Sequence, residues 1–113
     1  MVRGPRITEA DVQSAILDLL AAKHIFAGRL NTMGGYKIGS VFVPKSHTFG
    51  PGTPDILAFP FSGDANSPYP LWIEVKKPGK SQSPEQVSFQ RMVQEMAHSY
   101  IVAESVEDVL AAL

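Results

Sequence analysis

The run Leu71-Trp72-Ile73-Glu74-Val75-Lys76 constrains this chain more than any other segment. It is an apolar stretch broken by one carboxylate, and Pro78-Gly79 ends it, so it reads as a strand over Leu71 to Val75. Side chains of a strand alternate between its faces, so Glu74 and Lys76 share one face while Ile73 and Val75 share the other. Trp72 adds bulk beside Glu74. Glu-x-Lys by itself is common, and on an edge strand a lysine simply discourages aggregation. The pair becomes informative when a second carboxylate stands beside that face. Asp55 opens the neighbouring strand candidate, Asp55 to Phe59, and can supply it.

Two carboxylates brought together repel, and a divalent cation with hard oxygen ligands relieves the repulsion. Mg2+ characteristically takes one or two carboxylates, several waters and substrate phosphate. A bound cation lowers the pKa of its water and neutralises charge growing on a phosphoryl oxygen. A lysine adds positive charge beside the attacking water or the scissile phosphate. Asp55, Glu74 and Lys76 thus form the arrangement of a metal-dependent nuclease.

The remaining elements follow from caps, periodicity and punctuation. Thr8 caps a first helix with Asp11 three residues on, and Ile7 is placed to pack on Val12 as a hydrophobic staple. Val12, Ile16, Leu19 and Leu20 recur at helical spacing and face the core. Glu9 and Gln13 share a face off that stripe, and Glu9 also suits the positive end of the helix. Ile25-Phe26-Ala27 reads as a short strand or the helix end, and Arg29-Leu30-Asn31 leads into a Gly34-Gly35 turn. Val41-Phe42-Val43 is a strand candidate that Tyr36 and Ile38 can extend. Residues Pro44 to Gly52 read as a loop, in which His47 is an ordinary loop histidine rather than a ligand.

The Pro60 to Pro70 stretch is a turn region, which makes the two carboxylate strands a hairpin with a long connection. Ser83 caps a second helix, Pro84 fits its first position and Gln86 completes a capping box. Phe89, Met92, Val93 and Met96 form its buried stripe, with the methionines as core filling. Ser99 to Ala103 is a last strand, parallel to the Glu74 strand through a right-handed crossover, and Ser105 caps a final helix ending at Leu113. The order predicts one mixed α/β domain over 1–113, a mixed sheet flanked by helices.

Composition agrees with a modest single core: 113 residues, 44 % of them hydrophobic. No apolar run approaches the ~20 residues that span a bilayer. No apolar leader follows Met1 and there is no cysteine, so an intracellular protein without disulfides or thiolate metal sites is expected. The net charge of −1 is unevenly spread. Lys76, Lys77 and Lys80 cluster after the catalytic strand, whereas no Lys or Arg follows Arg91. One face can be basic in a nearly neutral chain.

Gly52-Thr53-Pro54-Asp55-Ile56-Leu57, Trp72-Ile73-Glu74-Val75-Lys76, Gly79-Lys80-Ser81 and Ser83-Pro84-Glu85-Gln86 together resemble the PD-(D/E)xK nuclease superfamily. The match is best to its compact VRR-NUC branch of virus-type replication-repair nucleases, and it covers about Glu9 to Leu113. The resemblance implies a restriction-endonuclease-like core and a Mg2+- or Mn2+-dependent DNA endonuclease. It implies action on branched DNA such as four-way junctions, and a homodimer. It makes Asp55, Glu74 and the Val75 carbonyl the metal ligands, Lys76 the catalytic lysine, Glu9 the helical acid and Gln86 the motif glutamine. Arg29, in an Arg-x-Asn piece like one near the family site, joins Lys77 and Lys80 as phosphate grips. The second expectation, from a different class, is a nucleic-acid-binding accessory module on the same scaffold with little catalysis.

Overall fold

A computed structural model describes residues 7–30, 35–44, 49–61 and 69–113. Its elements in chain order are α1 (Glu9–Ala22), β1 (Phe26–Arg29), β2 (Gly35–Ile38), β3 (Val41–Pro44), β4 (Ile56–Phe59), β5 (Leu71–Val75), α2 (Pro84–Glu95), β6 (Ser99–Ala103) and α3 (Val106–Ala112). The fold is mixed α/β, with a four-stranded sheet in the order β1-β4-β5-β6 and a separate two-stranded sheet, β2-β3.

In the main sheet β1 and β4 run antiparallel, β4 and β5 antiparallel, and β5 and β6 parallel. The β4-β5 hairpin and the parallel β6 are as the sequence predicts. The parallel step uses α2 as its crossover, since parallel neighbours cannot be joined by a tight turn. β5 is central, and all five of its residues are buried, Glu74 included.

Two apolar clusters cover the sheet's two faces. Ile16 and Leu20 of α1 and Val109 of α3 pack on Ile56, Ala58, Leu71, Ile73, Val75 and Ala103. Phe89 and Val93 of α2 pack on Trp72 and Tyr100, with Leu30 and Leu57 at the margin. The molecule is therefore a three-layer stack, and each fully buried aliphatic side chain contributes roughly 1.5–3 kcal/mol.

Both long helices start where their caps predict. Thr8 and Asp11 form a reciprocal capping box on α1, and Ser83 and Gln86 form one on α2. Several expectations need correction. Ile7 is 71 % exposed rather than stapled to Val12. Met92 and Met96 are exposed, because α2 turns Phe89 and Val93, not the methionines, onto β5 and β6. Tyr36 and Ile38 do not extend the Val41 strand but form β2, which turns through Gly39 and Ser40 into β3. Gly39 sits at φ 63, as a two-residue hairpin turn requires. Gly35 and Pro44 thus belong to strands, while Asn31, Gly34 and His47 lie outside the described residues.

Candidate active site

Strand ends and helix starts meet at one end of the main sheet. β5 ends at Val75, which pairs with Ala103 at the end of β6. β4 begins there, and Asp55 just before it is still tied to β5 by its own N–H, donated to the Ile73 carbonyl at 3.1 Å. β1 ends there too, with Arg29 opposite Ile56. The helix N-termini carrying Glu9 and Gln86 complete the cluster.

Asp55 is held from two sides. Its Oδ2 accepts the Val75 N–H at 2.7 Å, and its carbonyl accepts the Leu30 N–H at 2.7 Å. Glu74 is only 4 % exposed. Its Oε1 accepts from Gln86 Nε2 at 2.9 Å and lies 4.0 Å from Lys76 Nζ. Its Oε2 is buried and has no hydrogen-bond partner. Burial, then the negative charge of Asp55, pushes the Glu74 carboxyl up from 4.5 to about 8, against the pull of Lys76. The Asp55 and Glu74 carboxyls are close enough to share a hydrogen bond once a proton sits between them, which raises Glu74 further. When both are ionised there is no proton to share and Oε2 is left unsatisfied.

Gln86 fills two roles with one amide. Its Oε1 accepts the Ser83 N–H at 2.8 Å, closing the capping box, while its Nε2 holds Glu74. Glu9 accepts the Lys77 N–H at 3.1 Å across 68 residues of sequence, fixing the chain just after Lys76. Glu9 also adds negative charge felt at Glu74. Lys76 is partly buried, with 17 % of its side chain exposed. Lys80 is exposed on the turn that follows Pro78 and Gly79, where its N–H bonds the Lys77 carbonyl at 3.0 Å. Arg29 is exposed as the last residue of β1, not within a loop.

Among the described residues, no group of three His, Cys, Asp or Glu side chains stands together as a metal cluster. The donor set here is two carboxylates, Asp55 and Glu74, beside the Val75 backbone. That set fits Mg2+ or Mn2+, which need few protein ligands and complete their shells with water and phosphate. The unsatisfied, buried Glu74 Oε2 is the feature a cation would answer.

Other residues shape the site although the sequence assigns them no role of their own; Gly52 and Thr53 stand in the segment that leads into Asp55. Gly52 has φ +82, and a Cβ there would collide with the Glu85 carbonyl on the first turn of α2. Thr53 is buried and its hydroxyl donates to the Gly50 carbonyl at 2.5 Å, which sets the turn ahead of Asp55. Gln82 Nε2 donates to the Tyr100 hydroxyl and to Gln90 Oε1, both at 3.1 Å, anchoring the segment between Lys76 and α2. Burial and the Glu74 charge push the Tyr100 phenol up to about 12. Tyr100 pairs with Trp72, two residues from Glu74, so only the β5-β6 register brings it here.

The chain matches no family model, no curated protein and no solved structure. Among the described residues no helix is long and apolar enough to cross a membrane.

Proposed function

We propose that this chain is a metal-dependent deoxyribonuclease with a restriction-endonuclease-like core, of the VRR-NUC type within the PD-(D/E)xK superfamily. The observation that carries the reading is buried Glu74 paired with half-buried Asp55 beside Lys76, with Glu74 Oε2 left unsatisfied. Such a pair is a poor way to stabilise a fold, because the like charges repel and Glu74 loses its hydration. It is a good way to hold a cation. Perturbed titration beside a specific charged partner is also the electrostatic mark of a working site.

Asp55, Glu74 and the Val75 carbonyl would hold Mg2+ or Mn2+. When bound, the ion supplies a Lewis acid for the scissile phosphate and a water of lowered pKa. The chain's own groups do the rest. The Val75 N–H and the Gln86 amide aim the two carboxylates. Lys76 is only loosely paired with Glu74 at 4.0 Å, so its ammonium can turn to position the attacking water or meet charge on the phosphate. Glu9 holds the backbone that carries Lys76 and Lys77. Arg29, Lys77 and Lys80 grip flanking phosphates.

The substrate we assign is branched DNA such as a four-way junction, cut during repair by a two-fold homodimer that presents two such sites. Cleavage of labelled four-way junction, flap, single-stranded and duplex DNA with Mg2+ or Mn2+ tests this. The expected result is metal-dependent cutting, reduced by about 10²-fold or more in Lys76→Ala. Wild-type protein that cuts none of the four substrates with either metal refutes the nuclease, and tight binding without cutting points to an accessory binding module.

A further inference from the structure

We propose that Tyr100 is a further substrate-binding residue of the site: its hydroxyl, held in place by Gln82, donates to a non-bridging oxygen of the phosphodiester at Asp55 and Glu74. The identity of the ligand rests on the nuclease reading. Tyr100 pairs with Trp72 across the parallel β5-β6 ladder, so its ring lies on the sheet face that carries Glu74. On that face it packs with Trp72, Phe89 and Val93. Gln82 fixes the hydroxyl end of the ring. Its Nε2 donates one N–H to the Tyr100 hydroxyl and the other to Gln90 Oε1, both at 3.1 Å. Gln82 immediately precedes Ser83, whose N–H is held by Gln86 at 2.8 Å, and Gln86 in turn holds Glu74 at 2.9 Å. The hydroxyl is thus tied to the chain segment that aims the Glu74 carboxylate.

Three observations select a phosphate oxygen as its partner. The hydroxyl accepts from Gln82, and among the described residues nothing accepts its own proton. It is a donor without an acceptor, and the non-bridging oxygens of a phosphodiester are acceptors only. Burial, then the Glu74 charge, keeps that proton on the phenol, whose pKa is pushed up to about 12. The hydroxyl is also uncharged. A cationic side chain at this position would pair with Glu74, as Lys76 does at 4.0 Å, and compete with a metal ion for the carboxylates. A hydroxyl adds a donor without neutralising them. Access comes from the β6 side. Val102 pairs with Glu74 and is 37 % exposed, although Glu74 itself is buried. Tyr100 stands two residues from Val102 on the same face, about 7 Å along the strand. A DNA strand crossing the end of β6 therefore brings one phosphate over Glu74 and toward the Tyr100 hydroxyl.

Fluorescence anisotropy with a labelled four-way junction in Mg2+ reads the contact, in a Lys76→Ala background that spares the probe. Tyr100→Phe removes the hydroxyl alone and keeps the ring in its cluster, so the variant folds. It is expected to weaken binding roughly 10-fold, the worth of a hydrogen bond to a charged oxygen. The rise in melting temperature that Mg2+ gives the DNA-free protein is expected to stay as it is, because Tyr100 meets the phosphate and not the cation. Gln82→Ala, at a part-exposed position, is expected to weaken binding as well, and the double variant to be no weaker than Tyr100→Phe, since Gln82 acts through the hydroxyl. Reference affinity in Tyr100→Phe, or no binding by the reference protein, overturns the assignment. A lost Mg2+ response in Tyr100→Phe also overturns it, because the hydroxyl then arranges the carboxylates rather than the substrate. Additive losses remove Gln82 from the contact. Cleavage of the same junction by the wild type with Mg2+ or Mn2+ is read separately. Cutting with unchanged Tyr100→Phe affinity keeps the nuclease and removes the contact, whereas weakened binding by Tyr100→Phe without wild-type cutting keeps the contact and removes the nuclease.

Discussion

Glu74 sits where water scarcely reaches, and the cost of ionising it there can be measured. Its carboxyl is raised from 4.5 to about 8, so the folded chain keeps a proton that the unfolded chain releases. Below about 4.5 both states are protonated and Glu74 costs nothing. As pH climbs from there to about 8, stability is progressively lost, by a few kcal/mol. Urea denaturation in chelator should show this decline, and Glu74→Gln should flatten it. A wild-type profile that is flat over that window would remove the buried-carboxylate account. Mg2+ competes with the proton, so it should raise the melting temperature more at about pH 8 than at about pH 6. Asp55→Ala should abolish that rise, and a rise that survives the substitution places the cation elsewhere.

Gly52 and Ala97 make opposite predictions at the scale of the element. Gly52, at φ +82 against the Glu85 carbonyl, lets the Pro54-Asp55 segment lie on the first turn of α2. Gly52→Ala should destabilise by roughly 2–4 kcal/mol, combining a left-handed backbone with an overpacked contact. It should also lower activity, since Asp55 and Gln86 are placed through that contact. Unchanged denaturation would mean the two segments separate freely. Ala97, just past α2, adopts φ 63 without being glycine. Its N–H bonds the Gln94 carbonyl and the His98 N–H bonds the Val93 carbonyl, a helix-ending turn that favours glycine. Ala97→Gly should therefore stabilise by about 1 kcal/mol, and a lower melting temperature would contradict that. The capping boxes at Thr8 and Ser83 were legible because each uses residues three apart. The exposure of Met92 and Met96 was not legible, because helical spacing defines a stripe but not how far the sheet beneath it extends.

Electrostatic binding belongs to the whole molecule, because Arg29, Lys77 and Lys80 come from distant parts of the chain and reach one end of the sheet only through the fold. Three phosphate contacts per protomer give a slope of log K against log salt of roughly −2.7 on duplex DNA, taking about −0.9 for each. Lys80→Ala should reduce it by about 0.9. A slope near zero in a salt titration would remove DNA from the basic end.

What the sequence determined by itself was local: the three helices, the strands from β4 on, the helix caps, and the alternation that sets Glu74 and Lys76 on one face of β5. These depend on residues a few positions apart, where backbone geometry leaves little choice. The tertiary structure alone decided what requires register and packing between distant segments. It bonded Glu9 to the Lys77 backbone, gave Gln86 a second partner in Glu74, and brought Tyr100 beside Glu74. It also placed Arg29 at the end of a strand and left Phe26 uncovered beside it. Burial of Glu74 belongs to this second group, because a strand pattern names the face a side chain takes and only the layer packed against that face decides whether water remains.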